Sequence, residues 1–155
     1  MSPEIIKVLY AEDDLGDVEL VRESLKQSKL HVGLDHVLDG QECLDYLRRT
    51  GKYQNVPIPD LILLDLNMPK KDGRQVLLEI KADSSLKRIP VVVLTTSDAD
   101  ADIVKGYDLG ANCYVTKPVD FHQFSKIVNE IAEFWFTVVK LPDHRDARSS
   151  QVGGA

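Results

Sequence analysis

The chain has 155 residues, 43% of them apolar and 28% charged, which suits one globular domain able to bury its own core. A net charge of −6 argues against nucleic acid as a direct partner and against anionic membrane surfaces, because both attract Lys and Arg. No apolar run approaches the length of a membrane span, and the opening Met-Ser-Pro-Glu-Ile-Ile-Lys has no signal-peptide core, so a cytoplasmic protein is expected.

In chain order, strand and helix patterns alternate. Residues 5–11 read as a strand, and residues 15–28 as a helix with Val18, Val21 and Leu25 on one face. Residues 32–37 form a short strand. Residues 41–49 form a helix whose Leu44 and Leu47 face inward, followed by a Gly-, Asn- and Pro-containing loop over 50–59. Residues 61–64 are a continuous apolar run, typical of a strand buried on both faces. A helix with Val76, Leu77 and Ile80 covers 73–82, and a second apolar strand, entered through Pro90, covers 91–94. Residues 98–109 read as a helix ended by Gly110, and 113–116 as a strand closed by Lys117-Pro118. Asp120 caps a last helix that runs to about residue 139. A domain over residues 1–141 is expected, with a disordered tail over 142–155, where periodicity is lost. Such alternation implies parallel β-α-β units, right-handed crossovers and a parallel sheet with helices on both faces.

In sheets of this kind ligands sit beyond the carboxyl ends of the strands. The first strand ends in Glu12-Asp13-Asp14, the third in Asp65, the fourth in Thr95-Thr96 and the fifth in Lys117. Carboxylates brought together repel one another and must take up protons or a cation. Mg²⁺ suits one or two carboxylates completed by waters and a phosphate, and would offset the charge of an incoming phosphoryl group. Lys117 would supply a second positive charge and Thr95 a hydroxyl. Phosphoryl transfer needs mostly positioning and charge neutralisation, so this set suffices in principle. Singly, each residue has a plainer reading. Asp14 can simply cap the first helix, Thr95 and Thr96 can be ordinary strand residues, and Lys117 a solvated strand end. Their conjunction at one rim is what points to a site.

The segment Leu63-Leu64-Asp65-Leu66-Asn67-Met68-Pro69, followed by Asp72-Gly73, carries a resemblance. With Glu12-Asp13, Thr95, Tyr114 and Lys117-Pro118 in order, it resembles the CheY-like response-regulator receivers over about residues 4–133. The resemblance implies a doubly wound, flavodoxin-like five-stranded parallel sheet of order 2-1-3-4-5. It implies Asp65 as the phosphorylated aspartate, Asp13 and Asp65 as direct Mg²⁺ ligands, Glu12 acting through water and Asn67 through its backbone carbonyl. Thr95 would hydrogen-bond the phosphoryl group, Lys117 would pair with it, and Tyr114 would turn inward in response; Tyr114 otherwise reads as a half-buried strand aromatic. The Lys117–Pro118 bond would be cis. A closer likeness to cyanobacterial phytochrome-associated response regulators lies in Leu94-Thr95-Thr96-Ser97, in residues 111–120, in Phe134-Trp135 and in the extended 50–59 loop. It implies a phosphohistidine on a phytochrome histidine kinase as donor. About 15 residues follow the last helix, too few for a DNA-binding module, so the signal is expected to pass by protein contact or onward phosphotransfer.

The last helix carries Phe121, Phe124, Ile127, Val128, Ile131, Phe134, Trp135, Val138 and Val139 at helical spacing, with Phe136 off the stripe. The stripe covers about 28 Å, whereas a five-residue strand covers about 17 Å. Phe134, Trp135, Val138 and Val139 are therefore expected to overhang the sheet and, with Phe121, to join two copies into a homodimer. The alternative is that the extension folds back over its own domain.

Cys43 and Cys113 share no Cys-x-x-Cys spacing and read as buried free thiols. His31, His36, His122 and His144 show no ligand spacing, and no nucleotide-binding glycine motif is present. Two rival functions stay in view. A Mg²⁺ phosphatase with an Asp nucleophile needs an acid two residues beyond Asp65, where Asn67 stands. A degenerate receiver that serves only as a dimeric binding module needs a missing acidic residue or Lys, and none is missing.

Overall fold

Apolar residues that alternate between two packed faces build the centre of this protein. The computed structural model describes residues 5–28, 30–96 and 100–138. Five parallel strands, β1 (Ile6–Ala11), β2 (Val32–Val37), β3 (Leu61–Leu64), β4 (Val91–Thr95) and β5 (Cys113–Thr116), pair in the order β2-β1-β3-β4-β5. This is the flavodoxin-like order expected. The connecting helices are α1 (Leu15–Lys26), α2 (Gly40–Arg48), α3 (Gly73–Ala82), α4 (Asp100–Asp108) and α5 (Phe121–Glu133).

Successive strand side chains point to opposite faces, so each central strand feeds two cores. Leu9, Ala11, Ile62, Leu64, Val91 and Val93 pack with Leu44, Leu47, Val76, Leu77 and Ile80 of α2 and α3. Val8, Tyr10, Leu61, Leu63, Val92 and Leu94 pack with Val18, Val21, Leu25, Phe124 and Val128 of α1 and α5. A strand buried on both faces cannot alternate polar and apolar residues, which is why β3 and β4 read as uninterrupted apolar runs.

Aspartates start four of the helices. The side chains of Asp14, Asp39, Asp72 and Asp120 accept the amides of Asp17 (3.1 Å), Glu42 (2.8 Å), Arg74 (2.7 Å) and Gln123 (3.0 Å). Each satisfies an amide that has no partner within its helix. Past the end of α4, Gly110 takes φ +105, which only glycine adopts without strain.

Several boundaries differ from the sequence reading. α1 stops at Lys26, α2 starts one residue earlier, and the 50–59 loop contains a 3-10 turn over Gly51–Tyr53. The start of the fourth helix at residue 98 lies outside the described residues, as do Val139 and the whole 142–155 tail. Lys117–Pro118 is trans, with no cis peptide bond among the described residues. Trans is the form X–Pro bonds prefer by about 0.5–1 kcal/mol. Lys117 is held here by its own amide, which donates to the Thr95 carbonyl at 2.7 Å. Cys43 is fully buried and Cys113 half-buried; both are free.

The end of the last helix is the main correction. α5 finishes at Glu133 and continues as a π-helical turn over Phe134–Val138. Trp135 does not overhang; at 9% exposure it belongs to the core beside α1 and α5. It stands three residues after buried Ala132 and so continues the face of Phe124 and Val128. A comparison of helix and strand lengths leaves out the reach of an indole, which buries far more surface than an aliphatic side chain. Phe136 is partly buried against the same core. Phe121 (69%) and Phe134 (48%) are exposed, and the Val138 side chain lies outside the described set. Among the described residues, no helix is long and apolar enough to cross a membrane.

Candidate functional site

The sheet places its chemistry at one rim. The last register pair of β1 and β3 is Ala11 with Leu64, so Glu12 and Asp65 stand side by side just past it. Chain direction across the sheet reverses between β1 and β3, the switch point where a crevice opens in such folds. Asp65 is anchored by its amide, which donates to the Ala11 carbonyl at 3.1 Å, and Glu12 by its own amide to Val37 at 3.0 Å. Thr95 pairs with Thr116 in the β4–β5 register, which puts Lys117 one step further along.

The expected acidic group forms. One carboxylate oxygen each from Glu12, Asp13 and Asp65 lie within 4.8 Å of one another. Glu12 and Asp65 are buried and Asp13 is exposed, so the cluster opens to solvent on one side. Three hard oxygen donors around a gap of this size fit a divalent cation that keeps waters on its open side.

Asp65 carries different contacts on its two oxygens. Oδ1 accepts the Thr95 hydroxyl at 2.7 Å and the Asn67 amide at 3.2 Å, while Oδ2 faces the Lys117 ammonium at 3.4 Å. The Asn67 N–H thus borders the site. Lys117 is buried among three carboxylates: Glu12 Oε1 in direct contact, Asp17 Oδ2 at 2.9 Å and Asp65 Oδ2. Tyr114, expected as a responsive aromatic, is half-buried against the α2–α3 core with its ring beside Gly106 of α4.

Electrostatics follow from burial. Burial pushes the Glu12 carboxyl up to about 8; the Lys117 hydrogen bond pulls it down, and the neighbouring Asp65 raises it again. Burial works against the Lys117 charge, but Glu12, Asp65 and Asp17 outweigh it and raise the ammonium above its ordinary value. Tyr10 is pushed upward by burial and by Glu12, to whose Oε1 it donates at 3.2 Å. Together the groups form a pocket short of positive charge, in which a protonated Glu12 or a bound cation relieves the repulsion.

Sequence reasoning missed Tyr10 and Asp17. Asp17 left a faint signal, since Asp14-x-x-Asp17 has the spacing of a helix start, but its partner Lys117 is 100 residues away. Tyr10 looked like any strand aromatic.

Known proteins share the sequence pattern and the fold. Residues 8–129 match the family model of the response regulator receiver domain. Response regulator Rcp1 of Synechocystis is 48% identical over 135 residues, 87% of this chain and 92% of the relative. The solved structure of the phosphorylated cyanobacterial phytochrome response regulator RcpA superposes with a TM-score of 0.88 at 49% identity, over 90% of this chain and all of that one. The Mn(2+)-bound form of Rcp1 gives 0.85 at 47% identity, covering 91% of this chain and 100% of the other.

Proposed function

The chain belongs to the response regulator receiver family, and from that membership we propose that Asp65 accepts a phosphoryl group from a histidine kinase with Mg²⁺ bound at Glu12, Asp13 and Asp65. The observation that carries this reading is the convergence of Thr95 and Lys117 on the two oxygens of Asp65, beside the acidic group. In the transfer, an Asp65 oxygen attacks phosphorus while the P–N bond to the donor imidazole breaks. The bonding pair stays on the ring nitrogen, which takes up a proton. Bound Mg²⁺ would neutralise charge building on the phosphoryl oxygens. Lys117 offers its charge from the other side and Thr95 turns its hydroxyl toward the new group. As Thr95 leaves its present bond, Tyr114 moves into the space on the α4–β5 side, which passes the event to a surface a partner can read.

The resemblance to RcpA and Rcp1 supports a phytochrome-type kinase as donor. Position 67, two residues beyond Asp65, holds an Asn with no proton to give, which favours a stored signal over turnover of phosphate esters. Phe121 and Phe134, both exposed, are proposed to join two copies.

The test is intact-protein mass after incubation with acetyl phosphate and Mg²⁺. One added phosphoryl group is expected on the wild-type chain and none on Asp65→Asn. An adduct that survives in Asp65→Asn would overturn the assignment.

A further inference from the structure

Three carboxylates reach the Lys117 ammonium, each from a different element: Glu12 beyond β1, Asp65 beyond β3 and Asp17 in the first turn of α1. An ammonium has three N–H donors, so this set fills them. The three partners are not equivalent. Glu12 and Asp65 also belong to the acidic group with Asp13, and Asp17 does not. A cation and a phosphoryl group bound there would draw on Glu12 and Asp65 and leave Asp17 with Lys117. Asp17 Oδ2 already stands closer to the nitrogen than Asp65 Oδ2 does, 2.9 Å against 3.4 Å.

We propose that Asp17 is a positioning residue, which holds the Lys117 ammonium at the rim and aimed at Asp65 while Glu12 and Asp65 are engaged elsewhere. The inference rests on Asp65 being the acceptor. Local sequence builds the anchor. Asp14 caps α1 and accepts the Asp17 amide at 3.1 Å, which fixes Asp17 in the first helical turn. A carboxylate is favoured there by the helix dipole, which helps hold Asp17 in place without Lys117. The Lys117 stem has four rotatable carbons and no fixed direction of its own. An acceptor outside the cation group gives the ammonium a direction that does not change when the group fills.

The experiment compares wild type, Asp17→Asn, Asp17→Glu, Lys117→Ala and the double variant Asp17→Asn/Lys117→Ala. Two readouts are taken: the initial rate of phosphorylation by acetyl phosphate at saturating Mg²⁺, and the ¹H–¹⁵N resonance of the Lys117 ammonium in the unphosphorylated protein. Asp17→Asn is expected to slow phosphorylation roughly tenfold, with most of the rate restored in Asp17→Glu. In the Lys117→Ala background, Asp17→Asn should change the rate by less than about twofold, since a residue acting through Lys117 has nothing left to position. The ammonium resonance should broaden in Asp17→Asn. An equal loss in the Lys117→Ala background, or an unchanged ammonium resonance, overturns the proposal. A wild-type chain that takes no phosphoryl group would sink the acceptor reading instead, and the ammonium resonance would still decide the part of Asp17.

Discussion

Replacing Gly73 with Ala tests whether the backbone behind Asp65 is as tightly set as the site requires. Gly73 opens α3, and a Cβ built there would lie 2.3 Å from the Asp65 carbonyl oxygen and 2.6 Å from Leu66 Cα. Ordinary contact begins near 3.4 Å, so something must move by about 1 Å. Neither side yields easily. The Gly73 amide donates to Leu66 O at 3.0 Å, and the Asp65 amide ties β3 to Ala11 at 3.1 Å. Overpacking against a fixed backbone costs about 1–3 kcal/mol, from which the better helix propensity of Ala returns at most about 1 kcal/mol. The same displacement carries the Asp65 carboxyl out of line, and a 1 Å misplacement costs about 10²-fold in rate. Urea unfolding should show a loss of about 2 kcal/mol, and phosphorylation by acetyl phosphate should slow by about two orders of magnitude. Gly51→Ala is the control, because φ +59 strains it while nothing lies within 4 Å of its Cβ. It should cost about 1 kcal/mol and leave the rate unchanged. A Gly73→Ala protein with the midpoint and rate of wild type would refute the reasoning.

Two further outcomes are expected. Glu12 is raised from 4.5 to about 8 by burial, so between those values the folded chain holds a proton that the unfolded chain has released. Stability of the cation-free protein should therefore fall as pH rises from about 5 to 8. Glu12→Gln should flatten that slope, and saturating Mg²⁺ should offset it, by about 2.7 kcal/mol at a hundred times its dissociation constant; urea titrations at pH 5 and 8 with and without chelator decide this. Trp135→Ala should cost about 3–5 kcal/mol because the indole is core, whereas Phe134→Ala should leave stability nearly unchanged and weaken self-association measured by sedimentation. A surface-like cost for Trp135 would return it to the exposed stripe.

Much of the fold could be read because the physics that sets it is local. β3 and β4 announce themselves as unbroken apolar runs, and α1, α2, α3 and α5 each begin with an Asp whose carboxylate caps the next turn. Helix ends were less legible. Lys26 and Arg48 are followed by residues that would extend a helix equally well, and what stops α2 is the left-handed backbone of Arg49, at φ 57. No propensity foretells a non-glycine residue there. The π-helical turn after Glu133 was equally hidden, since an α-helical reading of the stripe does not foresee Phe136 partly buried and Phe134 exposed.

The candidate site divides along the same line. Glu12, Asp13, Asp65, Thr95 and Lys117 were legible because a parallel sheet turns strand order into spatial neighbourhood: every strand ends at the same rim, whatever separates the strands in sequence. Asp17 and Trp135 were not, because helix faces obey no such rule. A residue in the first turn of α1 meets the end of β5 only through the angle at which the helix docks, and that angle is set by the packing of Val18, Val21 and Leu25 against the sheet and α5. The charge balance shows why this matters. Glu12, Asp13 and Asp65 alone would leave Lys117 with partners that a cation also needs. A carboxylate delivered from a helix stands outside that competition, so docking α1 contributes to the chemistry of the rim as well as to the core beneath it.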